Sequence, residues 1–244
     1  MNETMVPFSN EWWIYNLITT SIIIGVVLIG KNISKKNKNY LTLGVGSFFL
    51  FEFLFMEIFH LFTGTWEIQK SLPLHLCGIM WLIAIYMFFS KKQWSFEMLL
   101  FIGMPGGVHS LLTPEFTHGS DLLHQIDFFI GHGGLILAPF YAIFVLNMWP
   151  RKYAWLNSFF KLQGFVVFVF VTNFLINYWM FRYLFPPESD SLTANYMYLI
   201  QRPEANNPLN FGTWPYYILI FEIFMLTHAA IINLPFHLKS RINN

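Results

Sequence analysis

Trp12-Trp-Ile-Tyr-Asn-Leu-Ile-Thr-Thr-Ser-Ile-Ile-Ile-Gly-Val-Val-Leu-Ile-Gly-Lys31 runs twenty residues and meets no charge until its last. As a helix rising about 1.5 Å per residue, it covers the roughly 30 Å hydrocarbon core of a bilayer. The rest of the chain follows suit. Of 244 residues, 55% are hydrophobic, 20% aromatic and only 11% charged, against about 25% charged in a soluble domain. So few charges cannot clothe a water-facing surface, and the bilayer is the main solvent. The N-terminal Met1-Asn2-Glu3-Thr4 has no positive region, and the first apolar stretch has no small-residue cleavage pattern. That stretch is therefore expected to stay as a helix.

Seven segments reach spanning length: about 12–31, 40–63, 72–90, 94–114, 121–148, 155–184 and 214–237. The expectation is an all-α, seven-helix, polytopic membrane domain over residues 1–244, with an outer loop at 185–213. Gly103, Pro105, Gly106 and Gly107 interrupt the fourth segment, as in broken helices that line protein or a wet cavity. Loops after helices one, three and five carry Lys31 to Lys38, Lys91-Lys92 and Arg151-Lys152, and the tail carries Lys239 and Arg241. With Lys161, eleven of the fourteen basic residues fall on one side. Lysine and arginine excess marks the cytoplasm, so the expected topology is N-terminus out and C-terminus in. Trp12, Trp13, Trp66, Trp94, Trp149, Trp155 and Trp214 sit at span ends as an aromatic belt.

Ionisable groups inside spans are costly and mark sites or pathways. Counting inward from the outer ends, His60 and Glu57 lie on helix two, His75 and Cys77 on helix three, and His109 on helix four. His124 and Asp127 follow on helix five, Asn173 and Asn177 on helix six, and Glu222 on helix seven. Their depths are about 5 to 15 Å, which implies a polar cavity opening in the outer leaflet. The inner half offers little beyond Gln163 and His228. His60, His124 and Glu115 also suit a merely interfacial place, and Glu52 and Glu222 suit interhelical hydrogen bonds.

Three strings are sharper. In Leu72-Pro-Leu-His-Leu-Cys-Gly78, His75 and Cys77 point some 200° apart at about 100° per residue, so any base for the thiol comes from another helix, His109 or His132. A buried cysteine also serves as a small hydrophobe. Gly131-His132-Gly133-Gly134 costs helix stability and points to the close approach of a neighbour or ligand. Asn195-Tyr196-Met197-Tyr198-Leu199, with Pro203, Gly212 and Trp214-Pro215, fills a long outer loop suited to lid the cavity.

These strings, with Leu111-Leu-Thr-Pro114, Phe128-Phe-Ile-Gly-His-Gly-Gly134 before Ala138-Pro139, Arg202-Pro203 and Trp214-Pro-Tyr-Tyr217, occur in the same order in a known family. The chain resembles the bacterial YwaF-like branch of the transmembrane protein 164 family over about residues 40–236. The resemblance implies a seven-helix bundle in a bacterial plasma membrane. From the animal branch it implies an acyltransferase that moves fatty acyl groups on glycerophospholipids through a cysteine. That branch places cysteine directly before histidine in a Pro-Cys-His string. Here Leu74 holds that slot and the thiol stands two residues after His75, so His75 carries over and Cys77 does not.

The leading expectation is an acyltransferase or acyl hydrolase acting on membrane lipid in the outer leaflet. Such chemistry needs a nucleophile, a base and oxyanion donors. Cys77 is the candidate thiolate, His132 or His109 its base, Asp127 or Glu57 the group orienting the imidazole, and Asn173, Asn177 or His75 the donors. Glu57, His60, Asn195 and Tyr196 are supporting or substrate-binding candidates. Membrane lipids are the expected partners, with no nucleic acid, metal or cofactor. The alternatives are a transporter or channel for a small polar solute or ion, a zinc hydrolase using Glu57, His60, His75 and His109, and a scaffold whose polar groups only join helices.

Overall fold

A computed structural model describes residues 3–116, 119–178, 193–202 and 212–242. Among the described residues, seven main helices run up and down in chain order, so that one end of the bundle gathers histidines and the other lysines. α1 (Asn10–Asn32) starts at Ser9, whose extended backbone and Oγ cap the Trp12 N–H at 3.2 Å. A two-residue link leads to α2 (Lys35–Thr63), capped by Ser34. The expected basic loop is therefore split: Lys31 closes α1, and Lys35, Lys36 and Lys38 open α2, which begins five residues ahead of the expected start. α2 ends at Gly64, whose left-handed backbone (φ 69°) returns its N–H to the carbonyls of His60 and Leu61.

α3 (Leu76–Ser90) begins four residues later than the sequence pattern suggests. Pro73 has no N–H to give, Leu74 N–H closes a tight turn onto Leu72 O at 2.7 Å, and Leu72 N–H is taken by Tyr196 Oη at 2.9 Å. His75 is thereby the extended N-cap residue and not a residue deep in the helix.

α4 (Gln93–Leu112) runs through its glycine-proline stretch as one helix. The expected break is instead a π-helical stretch, Leu99–Gly103, with Met104 N–H bonded to Leu99 O. Pro105 removes one helical donor, and the wider turn just before it accommodates the loss.

α5 (Leu122–Phe144) is capped by the Asp121 carboxylate. It closes earlier than expected, where Val145 and Leu146 both donate to Tyr141 O and Asn147 turns left-handed at φ 55°. α6 (Ala154–Tyr178) and α7 (Tyr216–Ile242) complete the bundle. The expected end of the sixth span at 184, and most of the 185–213 loop including Pro203, lie outside the described residues.

Among the described residues, six helices are long and apolar enough to cross a membrane; α3, at fifteen residues, falls short of that length. Burial explains how it is held. α3 and the π stretch of α4 form the centre of the bundle, with Met80, Ala84, Met87, Phe88, Phe96, Met98, Leu99, Phe101 and Ile102 sealed from any solvent. The other helices turn Ile14, Leu17, Ile18, Phe51, Phe55, Val167, Phe168 and Ile223 outward, the inverse of a soluble protein. Among the described residues, the one departure from all-α is a two-residue antiparallel pair, β1 (Glu3–Thr4) on β2 (Glu115–Phe116), with Thr4 opposite Glu115. It ties the N-terminal segment to the loop after α4, over a small cluster of Met5, Trp12, Leu111, Phe116 and Phe129.

Glycines set the helix spacing. A Cβ on Gly133 would stand 2.5 Å from Thr19 of α1, and one on Gly134 would stand 2.2 Å from the Trp81 ring of α3. Close approach is what the Gly-His-Gly-Gly string provides.

Candidate functional site

The first turn of α3 meets α4 and α5 at the histidine-rich end. Gly106 and Gly107 allow the meeting: a Cβ on Gly106 would touch Cys77 Sγ at 3.8 Å, and one on Gly107 would collide with the His132 carbonyl oxygen at 2.7 Å. Cys77 therefore turns toward α5, where its side chain and that of His132 interact electrostatically. It also lies 4.0 Å from Ser110 Oγ on α4.

The tautomer of His132 follows from its other partner. Its Nδ1 lies 2.8 Å from the Phe128 carbonyl oxygen, which only accepts, so Nδ1 carries the proton and donates. In the neutral ring, Nε2 is then the bare nitrogen, free to accept a proton. The imidazole is thus oriented by a backbone carbonyl one turn back, with the Phe128 ring tilted against it at 4.1 Å.

Asp127 lies on the same helix and acts electrostatically on His132. It also interacts electrostatically with Glu52 of α2, which accepts the Trp81 indole N–H at 3.0 Å. Glu57 faces elsewhere and accepts from Trp66 Nε1 at 2.9 Å. His60 Nδ1 pairs with Thr65 Oγ1 at 2.9 Å, and its ring lies 5.3 Å from that of His124, which is paired in turn with Asp121.

His109, the other candidate base, points to α7 and meets His228, Nε2 to Nε2 at 3.2 Å. His228 Nδ1 faces the Phe224 carbonyl at 2.8 Å and so donates to it, leaving His109 as the donor between the two rings.

A strap crosses above α3. Asn173 accepts the Tyr196 N–H at 3.0 Å and donates to its carbonyl at 2.9 Å. One turn on, Asn177 does the same for Ala194, at 2.7 and 2.8 Å. Asn195 folds the strap on itself by accepting from Ile200 and Gln201 and donating to the Gln201 carbonyl. Tyr196 Oη donates to Ile68 O at 2.8 Å and accepts from Leu72 N–H at 2.9 Å. From α7's side, Tyr217 donates to the Tyr198 carbonyl and Trp214 to that of Leu199. The imidazole of His75 lies between the rings of Tyr196 (5.3 Å) and Tyr198 (5.4 Å). Burial pushes the Tyr198 phenol up to about 12, with the charges of Glu115 and Cys77 adding to it.

The structure thus brings Cys77 and His132 together, with Asp127 near, and places His75 beside the strap. The amides of Asn173, Asn177 and Asn195, and the hydroxyl of Tyr196, are spent on backbone groups. Glu57, His60, His75 and His109 each serve a different neighbour, and among the described residues no three histidine, cysteine or acidic side chains converge as a metal would require. A concavity of about 360 Å³ at this end, lined by Thr4, Met5, Glu11, Phe116, Ser120 and Gln125, lies by the β1–β2 pair.

Ser110 and Tyr198 join the site without having stood out in the sequence. Tyr198 lies two residues from Tyr196. Ser110 carried no signal beyond standing next to His109.

No curated protein and no solved structure matches the chain. The TMEM164 family model matches residues 7–233. That match takes in α1 to α6, α7 as far as residue 233, Cys77, His132 and the strap, and the chain belongs to the TMEM164 family of membrane proteins.

Proposed function

We propose that this chain is a seven-span membrane enzyme, N-terminus outside and C-terminus inside the cell membrane, that transfers or hydrolyses an acyl group of a membrane lipid through Cys77. The observation that carries the reading is the juxtaposition of the Cys77 and His132 side chains, with Nδ1–H of His132 committed to Phe128 and Nε2 left bare. A nucleophile, a base in reach and a third group orienting that base are the parts of nucleophilic acyl transfer. The fully buried face of α3 supports its place as a seventh span, and the lysines gathered at the other end support the orientation.

In the first half-reaction the Cys77 sulfur attacks an ester carbonyl of the lipid while His132 Nε2 takes the thiol proton. The carbon–oxygen bond to the lipid alcohol breaks, and that alcohol leaves with the proton from Nε2. Cys77 then holds the acyl group as a thioester. In the second half, a hydroxyl of an acceptor lipid or water gives its proton to Nε2 and attacks the thioester. The proton returns to the departing sulfur. Ser110 Oγ, 4.0 Å from the sulfur, would donate to the oxyanion in both halves.

The test is lipid profiling of membranes carrying wild type, Cys77→Ala or His132→Ala at matched folded levels, with mass spectrometry of the Cys77 peptide. The expected result is a change in acyl composition of one lipid class and a hydroxylamine-sensitive acyl adduct on Cys77, both absent in Cys77→Ala. His132→Ala should lower turnover by about 10²–10⁴. Identical profiles for all three proteins, with solute flux in vesicles indifferent to Cys77→Ala, would replace this reading by a transporter.

A further inference from the structure

α3 has two working faces. Cys77 turns toward α4 and α5, while Ile79, Leu82, Ile83 and Tyr86, spaced i, i+3, i+4, i+7, turn the other way. Facing them on α6 is a second stripe of the same spacing: Lys161, Gly164, Phe165 and Phe168. Pro73 and Leu74 close one end and Trp94 of α4 the other, and together these residues line a groove of about 700 Å³. Each stripe rises about 10 Å, roughly two-thirds of the hydrocarbon depth of one leaflet.

Three features tell what fills it. The lining is apolar but for Lys161, and Leu82, Tyr86 and Phe168 remain exposed along it. Its floor is open at Gly164, where an added Cβ would meet nothing within 4 Å. The remaining feature is charge. Lys161 lies on the lysine-rich side of the groove, and among the described residues no carboxylate pairs with it. A lysine stem laid along an apolar wall puts its ammonium at the interface, where it meets an anion.

We propose that this groove holds one acyl chain of an anionic phospholipid from the leaflet at the lysine-rich end, with the lipid phosphate paired to Lys161. The site is separate from the Cys77–His132 pair, and the assignment does not depend on acyl transfer.

The experiment uses the full chain in phosphatidylcholine nanodiscs doped with a diazirine-chain phospholipid, either phosphatidylglycerol or phosphatidylcholine, followed by peptide mapping after illumination. Adducts from phosphatidylglycerol are expected to concentrate on Leu82, Tyr86, Phe165 and Phe168, above those on Phe51 and Phe55, which face outward on α2. Phosphatidylglycerol should label the groove about fivefold more than phosphatidylcholine, the ratio one lysine near an anionic headgroup supplies. Lys161→Gln should abolish that ratio. Gly164→Leu should remove groove labelling by both lipids and leave Phe51 and Phe55 labelled, with Gly164→Val as a second filling variant should the larger side chain impair folding. Groove labelling no higher than at Phe51 and Phe55, equal labelling by the two lipids in wild type, or groove labelling that survives in a folded filling variant overturns the proposal.

Discussion

Asn173 pairs with Tyr196 as one strand pairs with another, its carboxamide taking the Tyr196 N–H at 3.0 Å and giving to the Tyr196 carbonyl at 2.9 Å. Asn177 repeats the pairing at Ala194, so two side chains on one helix face replace a β-ladder. Both asparagines are buried. Their truncation strands backbone groups with no water to turn to, at about 1–3 kcal/mol for each orphaned group. Asn173→Ala should therefore detach the strap locally. Hydrogen exchange is expected to rise over 194–201 and in the turn at 68–74 held by Tyr196, with α1 and α5 unchanged. Uniform protection in the variant would show that Trp214 and Tyr217 hold the strap without it.

Cys77 is the protein's one cysteine, so thiol alkylation reads a single site. If Nε2 of His132 takes the thiol proton, His132→Ala should slow alkylation by iodoacetamide at neutral pH by about tenfold or more. His109→Ala should leave the rate unchanged, since His109 is engaged with His228. Equal rates for wild type and His132→Ala would mean that His132 does not activate the sulfur.

Much of the bundle was legible because apolar runs of spanning length announce themselves by composition, as residues 12–31 do. The start of α3 was not, since Leu72 N–H is claimed by a tyrosine hydroxyl 124 positions away. The same holds for the choice between His109 and His132. Both are deep histidines in glycine-rich helices, and only the collision-tight seat of Gly107 on the His132 carbonyl decides which of them meets the thiol. Asn173 and Asn177 looked like free donors because their partners, backbone groups at Tyr196 and Ala194, leave no trace in side-chain chemistry.

Two glycines offer a contrast of opposite sign. A Cβ at Gly107 would stand 2.7 Å from a backbone oxygen, which cannot swing aside, whereas one at Gly131 would meet nothing within 4 Å. Gly107→Ala should separate α4 from α5 and destabilise the fold by about 1–3 kcal/mol. It should also weaken alkylation control by moving His132. Gly131→Ala should stabilise α5 by about 0.5–1 kcal/mol, the ordinary gain for alanine over glycine inside a helix. Thermal unfolding in one detergent compares the two directly, and a loss at Gly131 would point to a ligand or second copy seated there.

At the lysine-rich end, Glu97 is buried to 1% side-chain exposure and receives Arg151 through its backbone N–H, Nε and one terminal nitrogen. Glu97 holds the Arg151 guanidinium above its usual range, chiefly through their side-chain hydrogen bond. The pair fastens the start of α4 to the α5–α6 link, with Gln93 bridging Glu97 and the Trp149 carbonyl at 2.9 and 2.8 Å. Removing Arg151 leaves a carboxylate sealed in the bundle, a loss near the low end of about 3–5 kcal/mol because the arginine itself is more than half exposed. Arg151→Ala should lower the melting temperature sharply. Adding Glu97→Gln should recover most of the loss, since the buried charge rather than the missing contact carries the cost. If the double variant melts no higher than Arg151→Ala, the contribution lies in the geometry of the fork and not in neutralising Glu97.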